Sequence, residues 1–168
     1  SYPMYRDYRE QNEVFDGVIC SRAEHLNLSA GGPAERVGGE LVSGNYFQVL
    51  GLRPAAGRLF TGSDESAPGA NPVVVLDYDF WRNHFGSDSS VAGRTVRVNN
   101  YPMTVAGVAP PGFSGLSYGF RPSVYIPVTM QKQATPEWDL LNDRRTRWLQ
   151  VLARLKPGVT HPHADAKD

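Results

Sequence analysis

Four histidines, His25, His84, His161 and His163, are the first side chains in this sequence that could bind metal or move protons. A metal site of the H-x-x-x-H or H-E-x-x-H kind needs a second ligand one helical turn away, and neither His25 nor His84 has one. His161 and His163 lie two positions apart in a polar tail, where weak chelation competes with plain solvation. A serine nucleophile would be signalled by G-x-S-x-G. Gly112-Phe113-Ser114-Gly115 approaches that pattern, but its closing glycine falls one place early and no strand-then-helix context surrounds it. Asp64-Glu65 and Asp77/Asp79 have the pairing that acid–base work uses; a solvated loop explains the first pair and helix capping the second. Gly31-Gly32 and Gly38-Gly39 lack the lysine and helix of a phosphate cradle. Arg144, Arg145 and Arg147 form a basic cluster, read either as a solvated face or as a contact for an anion or lipid headgroup. Cys20 is the lone cysteine, which excludes an internal disulfide and reads as a small, partly buried hydrophobe. The expectation is therefore no catalytic, cofactor-binding or metal-binding residue and no cofactor, with Arg144, Arg145 and Arg147 as the candidate contact.

The chain as a whole gives these groups an ordinary globular setting. Its 168 residues are 40% hydrophobic and 20% charged, enough to bury a core without metal or disulfide. Seventeen basic and seventeen acidic residues cancel, which removes the electrostatic footprint of a nucleic-acid binder and of a polybasic membrane-surface protein. No apolar run approaches the ~18 residues of a membrane span. The chain opens on Ser1-Tyr2-Pro3 and closes on a polar tail, residues 161–168. Both ends are expected to be boundaries within a longer protein, with one domain over residues 1–160.

The elements that must position these residues are short, as 17 glycines and 13 prolines require. Met4, Tyr5, Tyr8, Val14 and Phe15 lie on a helical stripe that Gly17 ends, which predicts a helix over residues 3–14. Residues 18–29 and 36–42 alternate as strands around Gly31-Gly32-Pro33, which predicts an antiparallel pair. Tyr46, Phe47, Val49 and Leu50 form a helical turn stopped by Gly51. Residues 61–71 read as a surface loop. Val73-Val74-Val75-Leu76 has the composition of a buried strand, and Asp77 can cap a helix carrying Phe80, Trp81 and Phe85 up to Gly86. The clearest hairpin pairs residues 94–98 with 101–105 across Asn99-Asn100, with Val98 opposite Tyr101 and Val96 opposite Met103. Residues 124–128 read as an edge strand because of Pro127, residues 137–142 as helical turns, and residues 147–155 as a last strand. These elements predict an α+β fold of short mixed and antiparallel strands with a few helices.

Several strings in series resemble one family. They are Glu40-Leu41-Val42-Ser43-Gly44-Asn45-Tyr46-Phe47, continuing through Leu50-Gly51 and Pro54 to Gly57-Arg58; Val73-Val74-Val75-Leu76 with Trp81 and Phe85-Gly86; Gly93 and Asn99 followed by Val105-Ala106-Gly107-Val108-Ala109-Pro110; and Arg154-Leu155-Lys156-Pro157-Gly158-Val159. In that order they are similar to the MacB-like periplasmic core domain of FtsX-like ABC-transporter permeases, and the opening Tyr2-Pro3 with Tyr5-Arg6-Asp7-Tyr8-Arg9 resembles an acidobacterial-type orphan branch. The resemblance implies a domain inserted between two transmembrane helices of a bacterial inner-membrane permease and facing the periplasm. It implies two small α+β lobes, one resembling a transporter porter domain, and a further segment returning to the membrane after Val159. ATP hydrolysis would belong to a separate ATP-binding subunit or domain. The extracytoplasmic part would relay movement for export or for lipid, lipoprotein or peptide handling, often as a dimer and in some members against a periplasmic adaptor. Two other readings stay open on the residues alone. A periplasmic ligand- or lipid-binding sensor needs a pocket with convergent polar groups. A hydrolase needs a serine within hydrogen-bond reach of His25 or His84.

Overall fold

The computed structural model describes residues 1–10, 15–137, 141, 149–155 and 158. Ser1 caps the first helix, α1 (Tyr2–Arg9), its hydroxyl accepting from Met4 N–H at 3.4 Å with Pro3 in the first turn. The expected helix over residues 3–14 is thus shorter. Phe15, placed on its stripe, instead begins the strand β1 (Phe15–Ser29), where pairing with Leu155 outweighs local periodicity.

The remaining elements are β2 (Glu35–Val42), α2 (Tyr46–Val49), β3 (Ala56–Gly57), a 3-10 turn (Gly62–Glu65), β4 (Val73–Leu76), α3 (Tyr78–Phe85), β5 (Thr95–Val98), β6 (Tyr101–Val108), β7 (Val124–Pro127), a second 3-10 turn (Val128–Met130), α4 (Gln131–Ala134) and β8 (Gln150–Leu155). Mixed strands and short helices make this an α+β fold, as expected. Asp77 accepts from Phe80 N–H at the start of α3, and Gly86 ends it at φ 59°. The Asn99-Asn100 hairpin has the expected register, Val98 with Tyr101 and Val96 with Met103, and both asparagines are left-handed, at φ 46° and 69°. The second 3-10 turn and α4 have no counterpart in the sequence reading; they lie just before residues 137–142, of which 138–140 and 142 are outside the described residues.

All eight strands join one sheet in the order β2-β7-β4-β6-β5-β1-β8, with β3 on β6, and an additional β1–β2 pairing closes six of them into a ring. Hydrogen bonding therefore runs unbroken through these eight strands. What differs between the two faces is packing. Along β4, Val74 and Leu76 enter one apolar cluster with Leu26, Met103 and Ile126, while Val73 and Val75 face a second, aromatic one with Tyr46, Phe47, Phe60 and Tyr125. A strand buried on both faces has to be apolar throughout, which is why β4 reads as a continuous valine run.

β7 corrects the edge-strand expectation. It lies inside the sheet, parallel to β2 and antiparallel to β4. Pro127 is tolerated because pairing with β4 involves Val124 and Tyr125 only, so its missing N–H falls beyond that ladder. β1 pairs with β2 through residues 21–28 and with β8 through residues 15–21, so the two strands nearest the chain's ends run side by side, Phe15 opposite Leu155.

Candidate functional site

The densest polar arrangement lies where α1 meets the sheet. Tyr2 and Tyr5 face inward from α1, 7% and 0% exposed, with stacked rings 5.8 Å apart. Tyr5 donates to Asn45 Oδ1 at 3.2 Å, and Asn45 Nδ2 in turn donates to the carbonyl of Val18 at 2.9 Å. Burial, reinforced at Tyr2 by the neighbouring Glu65 carboxylate, pushes both phenols well above their ordinary range, so they stay protonated donors.

Glu65 holds this helix. Thr61 and Asp64 close a reciprocal capping box around the Gly62–Glu65 turn. Arg58 fixes Asp64 through two hydrogen bonds of 2.8 and 3.1 Å. The turn then directs Glu65 inward, its side chain only 2% exposed. Its Oε1 accepts from Gly44 N–H at 2.8 Å; its Oε2 accepts from the Tyr2 hydroxyl at 2.5 Å and from Arg9 Nη1 at 3.1 Å. Gly44 is required here, because a Cβ would stand 2.7 Å from the carbonyl oxygen of Thr61. The solvated-loop reading of Asp64-Glu65 is thereby corrected. Both carboxylates are buried and saturated with donors, and nothing in a polar, glycine-rich stretch of sequence signalled it.

A cleft of about 330 Å³ opens beside this clamp, walled by Tyr2, Arg6 and Arg9 of α1, by Glu65, and by Thr129 and Leu141. Arg144, Arg145 and Arg147 lie outside the described residues, as do His161 and His163; Leu141, three positions before Arg144 in sequence, is on the cleft wall. A second, apolar groove of about 200 Å³ runs between α2, β1 and β8, lined by Ile19, Val49, Leu50, Leu116 and Leu152.

The aromatic side of the sheet conceals one more titratable group. Glu40 is fully buried and paired across the strands with Tyr125; its Oε1 accepts from the Tyr46 hydroxyl at 3.0 Å. Its Oε2, the Tyr125 hydroxyl and Ser21 Oγ form no hydrogen bond of good geometry. Burial raises the Glu40 carboxyl above its usual 4.5, partly offset by the Tyr46 hydrogen bond. The backbone at Gly115 covers it, since a Cβ there would lie 2.3 Å from Oε2. In the sequence Glu40 stands out only as the start of the family string, because charge alone does not reveal burial.

The other candidates are dispersed. His84 stacks on Phe80 and meets Glu35 at 3.0 Å, and His25 packs edge-on against Phe120. Neither is hydrogen bonded to a serine among the described residues, and Ser114 sits in the loop after β6. Among the described residues no three metal-ligating side chains gather. Asp79 pairs with Arg121. Gly31-Gly32 forms the exposed turn after β1, and Gly39 lies within β2 under Leu26, where a Cβ would be 2.3 Å from that side chain. Cys20 is buried and its thiol is raised far above its ordinary range, chiefly by burial, which leaves it inert.

The MacB-like periplasmic core domain profile matches residues 2–167. The macrolide export ATP-binding/permease protein MacB of Salmonella paratyphi A is 30% identical over 174 residues, covering 97% of this chain and 25% of that protein. Its counterpart in Shigella dysenteriae is 36% identical over 124 residues, 74% of this chain and 18% of that protein. The chain thus spans about a quarter or less of the length of these relatives. Among solved structures, the periplasmic region of MacB from Actinobacillus actinomycetemcomitans superposes with a TM-score of 0.70 at 22% identity, covering 97% of this chain and 68% of that one. The extracellular domain of the noncanonic ABC-type transporter YknZ from Gram-positive bacteria gives 0.63 at 17% identity, covering 90% and 89%. Both show the same fold. By the profile match over nearly its whole length, the chain belongs to the MacB-like periplasmic core domain family.

Proposed function

We propose that this domain is the extracytoplasmic, non-catalytic part of an ABC-transporter permease, and that it relays conformational change from the membrane for export or for lipid, lipoprotein or peptide handling. The pairing of β1 with β8 carries the reading. A domain inserted between two membrane helices has to receive and return its chain at neighbouring points, and Phe15 lies opposite Leu155. β1 also pairs with β2 and β5, so a displacement arriving through it is distributed into the closed ring. The Glu65 clamp ties α1, which immediately precedes β1, to the same framework. On this reading ATP is hydrolysed by a separate subunit or domain, the permease dimerises, and an adaptor meets the domain from the periplasm. The contact of Arg144, Arg145 and Arg147 with an anion or lipid headgroup belongs to the same proposal.

The test uses the full-length permease assembled with its ATP-binding partner. Tyr2→Phe with Arg9→Gln loosens α1 while leaving Glu65 bonded to Gly44. The relay reading expects ATP hydrolysis to persist while transport falls several-fold. Wild-type transport in a variant whose α1 amides exchange faster would overturn it. The apolar groove along β8 favours a second reading, a ligand-binding sensor, for which transport and hydrolysis would both be insensitive to α1.

A further inference from the structure

The cleft beside α1 carries a charge that the clamp does not consume. Glu65 is fully engaged by Gly44, Tyr2 and Arg9, and Arg9 offsets its negative charge. Arg6 precedes Arg9 by three positions, which places both on one helix face. It lines the same cleft, is exposed, and forms no hydrogen bond or ion pair among the described residues. On another wall Thr129 is 3% exposed, and its hydroxyl has no partner. A buried hydroxyl without a partner is unfavourable; this one is covered, so a rotation of the Thr129 side chain has to bring it to an acceptor in the cleft. Its backbone is meanwhile held in place, the carbonyl accepting from Gly69 N–H at 2.9 Å.

One ligand chemistry answers both residues. A cation is repelled by Arg6, and an apolar group satisfies neither Arg6 nor Thr129. An oxyanion supplies negative charge to the guanidinium and an acceptor to the hydroxyl, and the planar fork of arginine matches phosphate oxygens. The volume, about 330 Å³, suits a small polar group. We propose that this cleft is a phosphate-binding site, with Arg6 and Thr129 as its ligands and Tyr2 and the Arg9–Glu65 pair as its floor. The phosphate group arrives either on a lipid headgroup or on a soluble molecule. The site stands independently of the relay reading, because binding is measured on the domain alone and needs no transport.

Inorganic phosphate titrated into the protein, followed by amide NMR and calorimetry at constant ionic strength, tests it. Saturable shifts are expected at Arg6 and Thr129. Arg6→Gln weakens binding about tenfold, as loss of a charge-assisted contact requires. Thr129→Val weakens it while leaving thermal stability equal or higher, since the variant removes an unpartnered hydroxyl. Unmoved amides at millimolar phosphate, or Arg6→Gln binding as tightly as wild type, would overturn the proposal. Vesicles of phosphatidylglycerol in phosphatidylcholine separate the sources. Co-sedimentation that inorganic phosphate suppresses identifies a lipid headgroup; phosphate binding without co-sedimentation identifies a soluble ligand.

Discussion

Replacing Glu65 with alanine removes the acceptor that holds α1 against the sheet. Gly44 N–H and the Tyr2 hydroxyl lose their partner, and Arg9 loses its ion pair. A buried donor left unsatisfied costs about 1–3 kcal/mol. Gly44 takes the full penalty, because it is buried and packed against the Thr61–Glu65 turn. Tyr2 borders the cleft and recovers part of its loss through water. The Arg9 side chain is 37% exposed, so solvent screening reduces its share to roughly 0.5 kcal/mol. The total is about 3 kcal/mol, which for a domain of this size lowers Tm by about 6–12 °C. Urea unfolding followed by tryptophan fluorescence measures it, and an unchanged m-value places the loss in the folded state. Native-state hydrogen exchange adds the location: α1 amides accelerate before those of β4. A second replacement, Tyr2→Phe, in the Glu65→Ala background should then cost almost nothing further, because the two share one hydrogen bond. A loss below about 0.5 kcal/mol, the range of ordinary surface substitutions, would refute the clamp.

Two further outcomes follow from the same geometry. The folded-state pKa of Glu40 is raised, so the carboxyl's contribution is fully present below the unfolded value and is lost as pH rises through the folded one. Glu40→Gln, which cannot ionise and still accepts from Tyr46, should therefore gain stability relative to wild type as pH increases above about 4.5. Paired urea titrations between acid and neutral pH check this, and a flat or falling difference would show that Glu40 folds without a raised pKa. At the hairpin, Asn99→Gly should destabilise by about 1–2 kcal/mol despite suiting the turn. The Asn99 side chain accepts from Asn27 N–H at 2.8 Å and donates to the carbonyl of Ala134, contacts that glycine removes. Asn100→Gly loses no such contact and should be neutral or slightly stabilising, as thermal unfolding of the pair would read out.

Local chemistry made a large part of this protein legible without coordinates. Asp77 and Gly86 bound α3 because capping and left-handed termination involve only neighbouring residues. Asn99-Asn100 set a hairpin register because two-residue turns admit few conformations. The ordered strings from Glu40 to Val159 carried the resemblance to the family, and Tyr46, Phe47 and Trp81 within them are buried. Failures came where distant segments compete with local preference. Phe15 left its helical stripe for a strand because Leu155 pairs with it, and Pro127 sits inside the sheet because β4 ends its pairing before reaching it. Asp64, Glu65 and Glu40 look like ordinary surface carboxylates until folding brings Arg58, Gly44, Tyr2, Arg9 and Tyr46 against them. Sequence alone determined the local elements, because turns, caps and apolar alternation are short-range properties, and its ordered strings carried the resemblance to the family. Only the tertiary structure decided where its charge is buried and how its first helix is held, because desolvation and pairing depend on neighbours many positions away in the chain.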